Sequence, residues 1–306
     1  MKKEMLGLFM LMMAMTANGQ MNFQDSSAQV ISYWDLGEKY EYSVTLQKLK
    51  YTEKDTSSNE TITYDVEVSV IDSTENSYTV RWHYKNFTSD SKNPIVQKLT
   101  AISEDIAVDI KLDELGAIQS VANWEEVRDY MAESIDSVRS EFGQLPALEK
   151  AFAQMKNTYS TKASIEAGAI RDVLQFHNFH GGRYILNEEA TGTVKTPNLY
   201  DPEKPFDTNV SVMLEELDQE NNQFIIRSIQ EVDAEQLTET TYNYLKKMTE
   251  DAGQEIIKRE DFIGLKNLVE TVSRIHNTGW VIESVMWKEV AAEGITNMEI
   301  RTIQMK

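Results

Sequence analysis

The stretch QFHNFHGGRY, residues 175–184, holds two of the chain's four histidines, His177 and His180, three positions apart and followed by a glycine pair. Two imidazoles one helical turn apart can share a metal ion. With a third ligand they would hold zinc for hydrolysis. The remaining histidines do not complete such a set: His83 falls on the polar side of a strand with Thr79, Arg81 and Lys85, and His276 precedes the turn NTG. No H-E-x-x-H motif occurs, so a metal-dependent hydrolase built on His177 and His180 would need an unassigned Asp or Glu. The other reading is structural. His177 continues an apolar stripe one turn after Val173 and Leu174. His180 stands in the last turn, where a polar or positive side chain meets free carbonyls and the negative end of the helix. The pair reads as structural, with the metal site as the alternative.

Other chemistries lack their motifs. The nucleophile elbow G-x-S-x-G, the P-loop and the dinucleotide fingerprint G-x-G-x-x-G are absent. HGG at 180–182 resembles an oxyanion-hole turn but has no elbow serine to serve. Glu125/Glu126 and Glu215/Glu216 are acidic pairs that nothing separates from the other acids, and DQENN at 218–222 lacks the glycine and closing glutamate of an EF-hand loop. Cysteine is absent, which removes disulfides, thiolate metal sites and a cysteine nucleophile. The expectation is a protein that is not an enzyme, with no catalytic residues and no cofactor.

What remains is a set of aromatic residues on alternating strands. KYEYSVTLQ (39–47) puts Tyr40, Tyr42, Val44 and Leu46 on one side. TITYDVEVSV (61–70) repeats the pattern with Ile62, Tyr64, Val66 and Val68, and SYTVRWHYKNF (77–87) with Tyr78, Val80, Trp82 and Tyr84. Period two of this kind marks a half-buried antiparallel sheet. Tyr42, Tyr64, Tyr78, Trp82 and Tyr84 are therefore the candidate ligand-binding residues: either they are core beneath a helix, or they line an apolar pocket. A further strand, DIAVDIKL (105–112), turns at Gly116 into AIQSV.

The period then lengthens. Asn123 and Glu126 have capping-box spacing, and Val127, Tyr130, Met131, Ile135, Val138 and Phe142 form a helical stripe. Gly143 and Pro146 separate this helix from a second, 147–156. A third is expected over about 162–179, its inner face carrying Ile165, Ala169, Ile170, Val173, Leu174 and His177, with Gly181 and Gly182 as its stop. Strands resume at 209–217 and 223–232. Asp233 and Gln236 open one more helix, and the chain ends in strands at 268–275, 280–290 and 296–305. The proline-bearing TPNLYDPEKPFD (196–207) is a possible internal boundary, and residues 20–37 read as a polar linker.

The N-terminus MKKEMLGLFMLMMAMTANGQ has a basic start, an apolar run from Met5 to Met15, and Ala17 and Gly19 at −3 and −1 of a cut before Gln20. That is the layout of a signal peptide over residues 1–19, and its apolar run is about half the roughly twenty residues a bilayer core requires. Export to the periplasm or extracellular space of a Gram-negative bacterium is expected, with no integral membrane segment left in the mature chain. With 30 basic and 50 acidic residues and a net charge of −20, bulk charge argues against nucleic acid and anionic membrane surfaces as partners.

LDELGAIQSVANWEEV, running from strand into helix, and the terminal TGWVIESVMWKEV…G…MEIRTIQM hairpin give the chain a resemblance. It resembles uncharacterised secreted proteins of Gram-negative envelopes, whose architecture is similar to the periplasmic lipoprotein-carrier family: a curved antiparallel half-barrel with helices across its mouth. The resemblance covers most of residues 38–306. It implies a single α+β domain, a long-stranded antiparallel curved sheet (half-barrel-like) with a helical insert of about 124–180 on its concave face. It also implies an apolar or lipid-like ligand between sheet and helices. An envelope protein partner, for which the chain would act as an interaction or scaffold protein, is the alternative.

Overall fold

A computed structural model describes residues 20–306 apart from 53–54, 143–145, 199–203, 252–257, 260–261, 263 and 293. The stretch 1–19, expected to be a signal peptide, and the centre of the 196–207 segment lie outside the described residues. Two short strands, β1 (Met21–Asn22) and β2 (Ser27–Gln29), come first. A meander follows: β3 (Lys39–Thr52), β4 (Asp55–Thr74), β5 (Ser77–Ser89), helix α1 (Pro94–Thr100), β6 (Ala107–Asp113) and β7 (Ile118–Val121). The helical insert comprises α2 (Trp124–Phe142), α3 (Pro146–Thr158), the single turn α4 (Lys162–Ser164), a π-turn over Ile165–Ala169 and α5 (Arg171–Phe176). The second half is β8 (Arg183–Ile185), β9 (Glu189–Thr196), β10 (Phe206–Asp218), β11 (Gln223–Val232), α6 (Ala234–Asp251), β12 (Lys266–His276), β13 (Val281–Ala292) and β14 (Ile295–Met305).

Eleven of these strands make one antiparallel sheet in the order β7-β6-β5-β4-β3-β14-β13-β12-β11-β10-β9. Both halves of the chain thus share one sheet, joined where β14 pairs with β3 from Ile295↔Thr52 to Met305↔Tyr42. The sheet does not close. One edge is the four-residue β7, and the other is β9, exposed along almost its whole length and carrying Gly192, Lys195 and three threonines. A very short edge and a polar, glycine-bearing one both discourage pairing with a stray strand.

The alternating residues face inward as their period requires. Tyr42, Val44, Val66, Val68, Val80, Trp82, Ile110 and Leu112 are buried against the insert, whose α2 contributes Val127, Met131, Ile135 and Val138. Burying such side chains stabilises by about 1.5–3 kcal/mol each, so this layer dominates the fold's stability. Tyr40 leaves the pattern and is exposed, its ring edge-on to Trp280. Asn123 does not cap α2: its side chain accepts from the Asp109 N–H and donates to the Ala107 carbonyl, tying the helix entry to β6.

Two expectations need correction. Residues 20–37 are not a linker. β1, β2 and β8 form a three-stranded sheet, and Ala28, Val30 and Trp34 belong to the core. The polar residues at 20–29 hid this because their partners lie at 183–185, beyond any local pattern. The third helix is not continuous over 162–179. The π-turn inserts a residue, so that Ile165 and Ile170, five apart, are both buried. The shift rotates α5, exposing Leu174 and burying Asp172, Gln175 and Phe176 instead.

The N-terminal segment is held by two hairpin turns. Ser32 N–H donates to the Leu115 carbonyl beside Gly116, and Tyr33 N–H donates to the Thr278 carbonyl beside Gly279. Gly279 has φ +87°, and a Cβ there would lie 2.3 Å from the Ile31 carbonyl oxygen. Gly279→Ala should therefore lower the thermal midpoint, the left-handed backbone alone costing about 1–3 kcal/mol before any clash. A midpoint equal to the parent's would refute this close approach.

Candidate ligand-binding cavity

Between the sheet and the insert lies a cavity of about 290 Å³. Strand register lays down its sheet wall in rows. The deepest is Ser284, Ile303, Val44 and Tyr64 across β13, β14, β3 and β4, of which Tyr64 reaches the cavity; the next is Met286, Arg301, Leu46 and Ile62, of which the last three line it. A third row, toward solvent, is wholly charged: Lys288, Glu299, Lys48 and Glu60, of which Glu299 and Lys48 line the cavity while all four line an adjoining groove. The helical wall is supplied by Val127 of α2, Tyr159, and the stretch from Gly168 to Asp172 around the π-turn.

The polar feature of the cavity is an ion pair. Asp172 and Arg301 are 6% and 4% exposed, which places both charges where desolvation is severe unless each is met by partners. Arg301 Nε lies 3.0 Å from Asp172 Oδ1, though its N–H is not aimed along that line, and Arg301 Nη2 donates to Glu299 Oε1 at 2.7 Å. Tyr64 Oη donates to Asp172 Oδ2 at 2.7 Å. Burial raises the Tyr64 and Tyr84 hydroxyls well above the ordinary phenol value, and the Asp172 charge adds to this, so both keep their protons at neutral pH. Burial alone would lower the Arg301 guanidinium; Asp172, with smaller contributions from Tyr64 and Glu299, holds it raised. The helix carrying Asp172 is fixed to the sheet by Gln175, whose Nε2 donates to the Ser284 and Arg301 carbonyls.

The five aromatic candidates separate into two environments. Tyr64 and Tyr84 line the cavity, Tyr64 stacked on Phe87 at 4.6 Å. Tyr42 and Trp82 do not: both are fully buried behind Phe176, which meets their rings edge-on at 5.5 and 5.3 Å. Tyr78 lies elsewhere, donating its hydroxyl to the Ser32 carbonyl beside Trp34. Asp172, Glu299 and Arg301 are site residues that the sequence reading missed. The available signals were an acid just past the turn and an arginine alternating with Ile303.

His177 and His180 are buried together, 4.8 Å apart between ring centres, against Trp34 and Phe176. Carbonyl oxygens only accept, so His177 Nδ1 donates to Gly116 and His180 Nε2 donates to Gly279, each at 2.9 Å. Among the described residues no third His, Asp or Glu joins them in a metal-sized group. They pin the end of α5 to the two hairpin turns that hold the N-terminal segment. Burial lowers both: His177 well below its ordinary value, with repulsion from His180 adding, and His180 to about 4. The imidazoles are therefore neutral in the fold, and His180 acts as a polar rather than a positive group, meeting the Gly279 carbonyl of a hairpin turn.

Because the unfolded chain accepts protons near pH 6.5 and these native sites do not, their stabilisation is complete above that pH. It is lost as pH falls from 6.5 toward 4. Denaturant titrations should show stability lower at pH 5 than at pH 7 by about 2 kcal/mol from His180 alone. His180→Gln should flatten that slope; a variant with the parent's pH dependence would contradict the assignment.

The fold and cavity define an α+β protein with an open antiparallel sheet and a helical insert over an enclosed polar anchor. No protein-family model matches the chain, and no curated protein is significantly similar to it. Among solved structures it is similar to DynF from the dynemicin biosynthesis pathway of Micromonospora chersina, at 5% identity and TM-score 0.21 over 94% of this chain and 90% of that one. It is also similar to a Bacteroides fragilis protein described as exported, with a YmcC-like fold, at 7% identity and TM-score 0.22 over 90% of this chain and 99% of that one. Likenesses this slight carry no argument about fold or function. Among the described residues no helix is long and apolar enough to cross a membrane.

Proposed function

We propose that this is an exported, non-enzymatic protein that holds one apolar or lipid-like molecule between its sheet and its helical insert. The observation that carries the reading is the cavity of about 290 Å³, apolar along Leu46, Ile62, Phe87, Ile106, Val108 and Val127, with polar groups at Thr100 and Ser103 and charged ones around Arg171, Asp172, Arg301 and the charged row. Pockets with apolar walls and a few convergent polar groups are the usual form of a small-molecule site, and this volume lies near the small end of their range. The buried polar groups are engaged with one another, which suits them to shaping and orienting an occupant. The leader-like N-terminus supports export to the periplasm or extracellular space.

The test uses the neutral, apolar fluorophore N-phenyl-1-naphthylamine. Saturable binding at one site per chain is expected, and Ala169→Phe, which fills the cavity at the π-turn, should reduce it at least about tenfold by removing the volume the probe occupies. Folded protein that takes up no probe, or an Ala169→Phe variant that binds as the parent does, would overturn the reading.

A further inference from the structure

We propose that the occupant is a single-chain acyl carboxylate, its tail along Tyr64, Ile62 and Val127 and its carboxylate at the Lys288–Glu299–Lys48 row. This rests on the cavity reading above and adds the headgroup and orientation. The first support is local charge. Three cations, Lys48, Arg171 and Arg301, and two carboxylates, Asp172 and Glu299, line the cavity. One positive charge is left over in a chain whose acidic residues outnumber its basic ones 50 to 30. A monoanion neutralises that excess.

The second support is which cations are engaged. Glu299 accepts from Arg301 Nη2 at 2.7 Å and lies 3.7 Å from Arg171 Nη1. Lys48 and Lys288 flank this same Glu299 on the neighbouring strands. Among the described residues, neither has an ion-pair partner within 4.0 Å, whereas Lys39, Lys85, Lys98, Lys156 and Lys266 do. Burial, with Arg171 close by, lowers the Lys288 ammonium, and an arriving anion would relieve that unfavourable setting.

The third support is direction. At the buried end the one cation, Arg301, is already shared between Asp172 and Glu299, whereas in the charged row Glu299 and Glu60 are interleaved with Lys48 and Lys288. The charged row also opens to solvent: Lys48 is exposed, as is Arg171. A head at that row keeps part of its hydration while the tail takes the apolar interior, the arrangement an amphiphile adopts at the least desolvation cost.

The experiment is displacement of N-phenyl-1-naphthylamine from the intact protein by dodecanoate, dodecanol, dodecyl phosphate and dodecyltrimethylammonium, each below its micelle concentration. Dodecanoate is expected to bind most tightly, roughly fivefold tighter than dodecanol, as two partly exposed ion pairs would give. The double variant Lys48→Gln/Lys288→Gln should lose this preference, with dodecanol, which has no charge for the lysines to meet, as the reference. Equal affinity for dodecanoate and dodecanol, or a preference that survives the double variant, would overturn the headgroup assignment while leaving the cavity reading standing. Tighter binding of dodecyl phosphate would overturn the choice of a carboxylate. Failure of the probe itself to bind is the separate outcome that removes the cavity reading.

Discussion

Replacing Arg301 by methionine should destabilise the protein by about 3–5 kcal/mol, because it strands the Asp172 carboxylate in the interior. Arg301 is the only cation among the described residues in contact with that carboxylate: the salt-bridged partner of Asp172 is Arg301, at 3.0 Å. Tyr64 donates to it as well, but a phenol neutralises no charge. The double variant Arg301→Met/Asp172→Asn removes both charges and should recover most of the loss. A buried pair can be exchanged for neutral groups far more cheaply than it can be halved. Equilibrium unfolding in urea of the two single variants and the double variant gives the coupling directly. If Arg301→Met lost under about 1 kcal/mol, the pair would be no better than a surface one.

Phe176→Ala should have a comparable effect, about 3–5 kcal/mol, for a different reason. Phe176 is fully buried and stands edge-on between Tyr42 of β3 and Trp82 of β5, with Trp280 on a third side. Truncation empties the space where α5 meets three parts of the sheet face at once. Among the described residues the hydroxyl of Tyr42 and the indole N–H of Trp82 meet no hydrogen-bond partner, so these two rings meet Phe176 by ring contact, beside the Gln175 bonds that tie α5 to the sheet. Phe176→Leu, which keeps most of the volume, should cost only about 1 kcal/mol. Calorimetry of both variants separates the two cases. An alanine variant as stable as the leucine one would show that the layer collapses to fill the gap, and that Phe176 is not its keystone.

How much of this could be read in the sequence depended on whether a residue's partners were close in the chain. The long strands were legible because Tyr42, Val44, Val66, Val68 and Trp82 obey a period of two, whatever they pack on. The stripe of α2 was legible for the same reason at a period near 3.6. β9 was not, since nearly all of its residues are exposed and no apolar alternation exists to read. The direction of α5 failed at one inserted residue in the π-turn. In β14, Met298 and Ile300 are the apolar pair that catches the eye, yet strand alternation puts them on the face opposite Arg301 and Ile303. Asp172 and Arg301 are 129 positions apart in number, and only the register of β14 on β3 brings them together. The aromatic set was identified as residues but not sorted. Tyr64 and Tyr84 are lining and Tyr42 and Trp82 are core because of where Phe176 falls, which no strand pattern records.

The pairing of β14 with β3 also dictates the order in which the molecule can be made. β14 sits in the middle of the sheet, between β3, the earliest long strand, and the hairpins of the second half, so the two halves have no seam to join until β14 is in place. Contacts this distant in sequence are slow to form, since loop closure must precede them.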